Sequence, residues 1–411
     1  MDDEIDRETF GPLVDITEES LILLASNIRK EVLHETTSVS KHVARTAGSY
    51  NIVHIIQLDD LKLVIRIPAT GWGVGKNDTA ARALESQVAT MRLITKKTTI
   101  PVPQVYHYDT SDNNPIGAPY ICMSFVPGTT VSRVWFKDPD TTSREELRLK
   151  ILKSVARVMG QFSCFTFDKI GSIVDDETTT PLAPCYDWQE NFDGSIQVVS
   201  SGPFDTASDF VQAHFKPSSE ESEWDKAESI MLQSMMPSSA INESSGGFVL
   251  LPPDFDSQNV MVDEQGNVTG LIDWDLVQTM PRSMGYARYP SWITRDWDPL
   301  MYGWPKMDTE DSPETLERYR AYYNGELGKE LNEEGDWQFT KKSHITEAVW
   351  IAAFGSHNRL EICRKFVRVA LDVDADQALS VMYDIGTDYY DDKDWNVLET
   401  KLKRMVSLKS D

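Results

Sequence analysis

The feature that most constrains this chain is residues 248–275, FVLLPPDFDSQNVMVDEQGNVTGLIDWD. An apolar run of strand character, 248–251, leads into a loop carrying Asp254, and Asn259 follows five positions later. Two more apolar runs, 260–262 and 268–272, flank the turn-forming DEQGN, and Asp273 ends the second. Short runs separated by Asp, Gly and Asn predict a hairpin. A hairpin of this length brings its ends side by side, so Asn259 and Asp273 can face one space, which Asp254 enters from the preceding loop.

An amide and two carboxylates in that arrangement suit phosphoryl transfer, where the protein positions groups and offsets charge on phosphate oxygens. Magnesium takes hard oxygen ligands, which Asn259 and Asp273 would supply together with phosphates and water. A carboxylate not committed to metal, Asp254, would orient an attacking hydroxyl and accept its proton. Isolated D-x-x-x-x-N matches also arise from turn chemistry. The strand before this one, the hairpin after it and the terminal Asp273-Trp274 set it apart.

The rest of the chain reads as a strand-rich part followed by a helical one. Helical periodicity over 15–33 carries Leu21, Leu24, Ile28 and Val32, behind an N-cap signal from Asp15 and Glu18. Strands are expected at 50–58, 61–68, 104–109 and 120–125, with Asp59-Asp60 as a hairpin turn and a helix over 80–95. After Pro127-Gly128 come a helix over 144–162, a Ser-rich insertion over 174–246 with a short helix at 206–215, and helices from Ser312-Pro313 and over 340–354, 358–372 and 395–405. With 411 residues, two domains are expected, at 1–126 and 127–411.

At the 248–275 segment the chain resembles the aminoglycoside phosphotransferase family, small-molecule kinases, and several phrases resemble its fungal branch. The fold so implied is α+β, a bilobal protein-kinase-like fold with a small antiparallel-sheet N-lobe and a larger, mainly helical C-lobe. The upstream order agrees with the resemblance. Gly48-Ser49-Tyr50-Asn51 resembles the turn that covers phosphates, although Gly48 also reads as a plain hairpin glycine. Arg66, in LVIRIP, stands where kinases carry a phosphate-gripping lysine, and Glu85 resembles the acid that pairs with that cation. An ordinary surface ion pair is the other reading of those two. ICMSFVPG resembles the interlobe hinge, with Ser124 and Val126 offering backbone to adenine and Met123 lining the pocket. The resemblance thus implies ATP and Mg2+ as cofactors, and 1–126 as the nucleotide-binding lobe.

Two positions depart from the family. Pro252 stands where a histidine braces the catalytic loop, and proline offers neither a side-chain donor nor a backbone N–H. Arginine replaces lysine at position 66, a planar fork in place of a point charge. A kinase-shaped binding or regulatory module, or an enzyme with other chemistry in the same cleft, is the alternative that Pro252 raises.

Composition limits the partners. Forty basic against 65 acidic residues leave a net charge of −25, without the basic footprint nucleic acid requires. That charge serves solubility, or attracts a cationic substrate. No apolar run approaches the length of a membrane span. Cys122, Cys164, Cys185 and Cys363 form no C-x-x-C pair, and with the acidic N-terminus they lead to the expectation of a cytoplasmic protein acting on a small molecule. Trp274, Trp292, Trp297 and Trp304, with Tyr286 and Tyr289, read equally as acceptor-pocket walls and as packing.

Overall fold

Five antiparallel strands build the main sheet in the order β1-β2-β3-β5-β4: β1 (Ser40–Ala47), β2 (Asn51–Leu58), β3 (Leu61–Pro68), β4 (Val105–Asp109) and β5 (Tyr120–Ser124). The computed structural model describes residues 5–136, 142–177, 182–216, 222–242, 246–250, 252 and 254–408. Side chains alternate along a strand, and Ile52, Ile56 and Leu58 of β2 are buried with Leu63, Ile65 and Ile67 of β3. Helix Glu18–Val32 adds Leu21, Leu24 and Ile28 to the same core, while Val32 is exposed. Its cap is Thr17, whose hydroxyl accepts the Ser20 N–H at 3.2 Å. Asp15 instead ends a preceding 3-10 turn and holds Arg7 at 2.7 Å. At the β2–β3 turn, Asp59 has a φ of 51° and accepts the N–H groups of Ser38 and Val39 at 3.0 and 2.8 Å.

The chain forms two compact units. The first comprises Met1–Gly128, Gly171–Pro203 and Thr269–Gln278, and the second Thr129–Ile170, Phe204–Val268 and Thr279–Asp411. The first is strand-rich and the second mainly helical, an α+β chain as expected. Within the first unit, helix Asp78–Lys97 is capped by Asn77, whose side chain accepts the Ala80 N–H at 3.0 Å. It buries Leu84, Val88, Met91 and Ile94. The Ser-rich stretch holds more order than its composition suggests. Strands Cys185–Glu190 and Ile196–Ser201 pair antiparallel, and Trp188 stacks on Tyr50 with ring centroids 4.5 Å apart.

In the second unit, helix Thr142–Gly160 packs on helix Pro313–Leu331. Arg148 joins Asp311 at 2.7 Å and lies over the Trp135 ring. Ser312 caps the second of these helices, as its sequence predicts. Further helices run over Glu223–Met235, Ser343–Phe354, Arg359–Leu371, Ala375–Gly386 and Asp392–Val406. Among the described residues, no helix is long and apolar enough to cross a membrane.

Candidate functional site

The 248–275 segment contributes to both units. In the second, Phe248–Leu250 pairs with Thr279–Pro281 and Val260–Val262 pairs with Thr129–Thr130. Asp254 sits on the loop between those strands with a φ of 36°, a left-handed conformation uncommon for a residue with a side chain. Asn259 stabilises it there, donating from its amide nitrogen to the Asp254 carbonyl at 3.0 Å and to its carboxylate at 2.8 Å. Gln258 donates to the same carboxylate oxygen at 3.1 Å. Pro252 is buried in the loop, and Asn259 supplies bracing that a proline cannot. The turn at Asp263 forms as expected, its carboxylate accepting the N–H groups of Gln265 and Asn267 at 2.9 and 2.8 Å.

In the first unit, Asp273 has a φ of 63°, and Leu271 donates its N–H to the Pro101 carbonyl at 2.8 Å. Arg66 does not pair with Glu85, which corrects the expected ion pair. Its Nη2 lies 2.5 Å from Asp273 Oδ1, and its Nη1 and Nη2 meet both oxygens of Asp275 at 2.7 and 2.9 Å. Glu85 is exposed. The residue that helix Asp78–Lys97 turns towards this cluster is Gln87, which lines a cavity of about 30 Å3 with Asn51, Arg66, Asp275 and Trp188. Burial works against charge on Arg66, yet Asp275 and Asp273 hold the guanidinium above its ordinary pKa.

The other expected nucleotide contacts also lie in this unit. Gly48, Ser49 and Tyr50 form the β1–β2 turn, closed by the Gly48 N–H on the Asn51 carbonyl at 3.0 Å. Met123 is buried. The Ser124 N–H already donates to Gln104 O at 2.9 Å, so its backbone can offer adenine only the carbonyl. Val126 packs against Gly270, where an added Cβ would come within 2.4 Å.

Most of the aromatic cluster is packing. Trp274, Trp292, Tyr286 and Tyr289 are buried, and the Trp274 indole donates to Leu271 O at 2.8 Å. Trp304 is exposed. Trp297 lines a cavity of about 170 Å3 within the second unit, together with Asp256, Ser291, Asp298, His344 and Glu347. Sequence patterning did not single out this cavity as a whole, because its walls come from segments far apart in the chain. Ser291 Oγ, Asp298 Oδ1 and His344 Nδ1 are buried and make no hydrogen bond among the described residues. Burial raises the Asp298 and Glu347 carboxyls above their usual range, against the pull of Arg295 and Arg288 respectively. Burial likewise lowers His344 well below an ordinary histidine, assisted by Arg320 and Lys365. Of the charged residues in this region, Arg288 pairs with Glu347 at 3.1 Å, Arg295 pairs with Glu310, and Asp296 with Arg320 at 2.6 Å.

Asn259 and Asp273 carry the hard oxygens that magnesium takes. Among the described residues, no group of three or more His, Cys, Asp or Glu side chains could hold a metal alone.

No family model matches the chain. It is 26% identical over 155 residues to Altered inheritance of mitochondria protein 9, mitochondrial, of Clavispora lusitaniae, covering 37% of this chain and 25% of that protein. It is 32% identical over 127 residues to a subtelomeric hrmA-associated cluster protein of Aspergillus fumigatus, covering 31% and 23%. The matched parts span about a quarter of these relatives' own length. The repeated occurrence of mitochondrial proteins among the relatives overturns the cytoplasmic expectation. Among solved structures, a Ralstonia eutropha protein assigned to the aminoglycoside phosphotransferases aligns with a TM-score of 0.47 at 15% identity, over 91% of this chain and 98% of that one. An aminoglycoside phosphotransferase in ternary complex with AMP-PNP and hygromycin B aligns with a TM-score of 0.43 at 14% identity, over 93% and 97%.

Proposed function

We propose that this chain is a small-molecule phosphotransferase that moves the terminal phosphoryl group of ATP, with magnesium, to a hydroxyl. The observation that carries the reading is the Asp254 loop, in which Asn259 holds a carboxylate in a left-handed backbone. A carboxylate so placed orients the acceptor hydroxyl and takes its proton. Gly48 and Ser49 would lie over the phosphates, Arg66 would grip them, and Met123, Ser124 and Val126 would line the adenine pocket. Asn259 and Asp273 would hold the metal, which supplies charge neutralisation on the phosphate oxygens. The first unit takes the nucleotide role, and the second the catalytic loop and acceptor.

The acceptor pocket in this reading is the cavity beside Trp297, whose Asp256 lies two residues beyond the proposed base. Its unpartnered Ser291, Asp298 and His344 atoms suit a small ligand rich in hydroxyl or amino groups. The compartment suggested by the relatives' names is the mitochondrion. One observation favours a second reading, a nucleotide-binding module without turnover: Pro252 takes the place of a bracing histidine.

Asp254→Ala separates the two. Under the first reading it abolishes transfer while leaving nucleotide binding within about twofold of wild type. A wild-type protein that ATP and magnesium stabilise, but that turns over no acceptor from an amino-sugar and polyol panel, would favour the second. Unchanged turnover in Asp254→Ala would remove the mechanism.

A further inference from the structure

We infer that Asp275, and not Glu85, is the residue that positions Arg66, and that the Arg66–Asp273 contact is the exchangeable one. The inference rests on the nucleotide reading given above and adds a positioning residue to it. Asp275 meets the guanidinium with both oxygens at 2.7 and 2.9 Å, the parallel fork that gives an arginine–carboxylate pair both strength and direction. Its own orientation is fixed by the Asn51 amide, which donates to Oδ2 at 2.6 Å. Asn51 opens β2 and Arg66 lies on β3, so two paired strands converge on one carboxylate.

Asp273 differs on each count. It offers a single oxygen to Arg66, and its side chain is 39% exposed against 14% for Asp275. An exposed, single-oxygen contact is the easier to break, because water and salt compete for it. Arg66 can therefore release Asp273 to other ligands and remain aimed by Asp275. The helix carries no acid at this point. Gln87 is 5% exposed, lines the same small cavity, and its side chain faces the Asp275 carboxylate, whose charged form it favours. Glu85 is exposed, so it has no part in aiming the guanidinium.

The test compares Asp275→Asn, Glu85→Gln and the double variant Asp275→Asn/Gln87→Glu, with ATP plus magnesium as the probe in calorimetry and thermal unfolding. Asp275→Asn keeps the shape and removes the charge; it should weaken nucleotide binding about tenfold, and raise KM for ATP more than it lowers kcat. Glu85→Gln should bind as wild type. Gln87→Glu should recover most of the loss by presenting a carboxylate to Arg66 from the helix. Equal effects of the Asp275 and Glu85 variants, or a defect confined to Glu85→Gln, would overturn the inference. If the wild-type protein binds no nucleotide, the proposed function fails. The anchor is then read from thermal unfolding without ligand, where Asp275→Asn must lower Tm and the double variant restore it. No difference from wild type there overturns the inference as well.

Discussion

Acidification should destabilise the first unit through a single buried imidazole. His54 lies on β2 at 2% exposure, with its Nδ1 3.0 Å from Nε2 of His42. His42 in turn faces Glu18 at 3.2 Å, and Arg45 adds positive charge nearby. His54 Nε2 is buried and makes no hydrogen bond among the described residues. Burial, then the charges of His42 and Arg45, lowers His54 from 6.5 to about 4. In this window the unfolded chain binds more protons than the folded one, so the stabilisation is present above pH 6.5 and is lost as pH falls towards 4. At 1.36 kcal/mol per unit the full loss is about 3 kcal/mol, of which about 2 kcal/mol has gone by pH 5. His344 in the second unit shifts in the same direction, so the total slope does not isolate His54. Urea unfolding of wild type and His54→Gln at about pH 7, 6 and 5 does so. The stability difference between the two should move by about 2 kcal/mol in favour of the variant across that range. A difference that stays constant with pH would show that His54 titrates like a solvated histidine, and the burial argument would be wrong.

Two further outcomes test the helical unit. Asp296 and Arg320 form a buried pair, with side chains 5% and 9% exposed and a contact of 2.6 Å. Asp296→Ala leaves Arg320 without its carboxylate and should cost about 3–5 kcal/mol in urea unfolding; a loss under about 1 kcal/mol would mean water reaches the pair. Gly386 ends helix Ala375–Gly386, and a Cβ there would lie 1.8 Å from the Glu223 carbonyl oxygen. Because that obstacle is backbone, Gly386→Ala should destabilise by about 1–3 kcal/mol, and an unchanged Tm would refute the close approach of the two helices.

What the sequence made legible was local. Leu21, Leu24 and Ile28 recur at helical spacing and are buried, and Ser312-Pro313 opens a helix, because both signals are settled within a few residues. Two other helix starts are marked only by their caps. Ser222 and Asp225 form a capping box, as do Asp374 and Gln377, and each opens a helix that composition alone hid. Partner choice was a different matter. Glu85 has the right charge on the right helix, but at 100° per residue it stands about 200° from Gln87. The buried stripe of Leu84, Val88 and Met91 includes Gln87. A polar side chain on an apolar stripe was therefore the signal, and it pointed to Gln87. Asp275 carried a similar one. Residues 273–275 alternate acid, aromatic and acid, and across the left-handed backbone at Asp273 both acids meet Arg66 while Trp274 between them is buried. Neither signal names the arginine, since Arg66 and Asp275 are 209 positions apart. Periodicity shows which way a side chain turns, and only the folded neighbours decide what it meets. For that reason Arg66 was legible as a cation on a strand, while its burial and its carboxylate had to come from the structure.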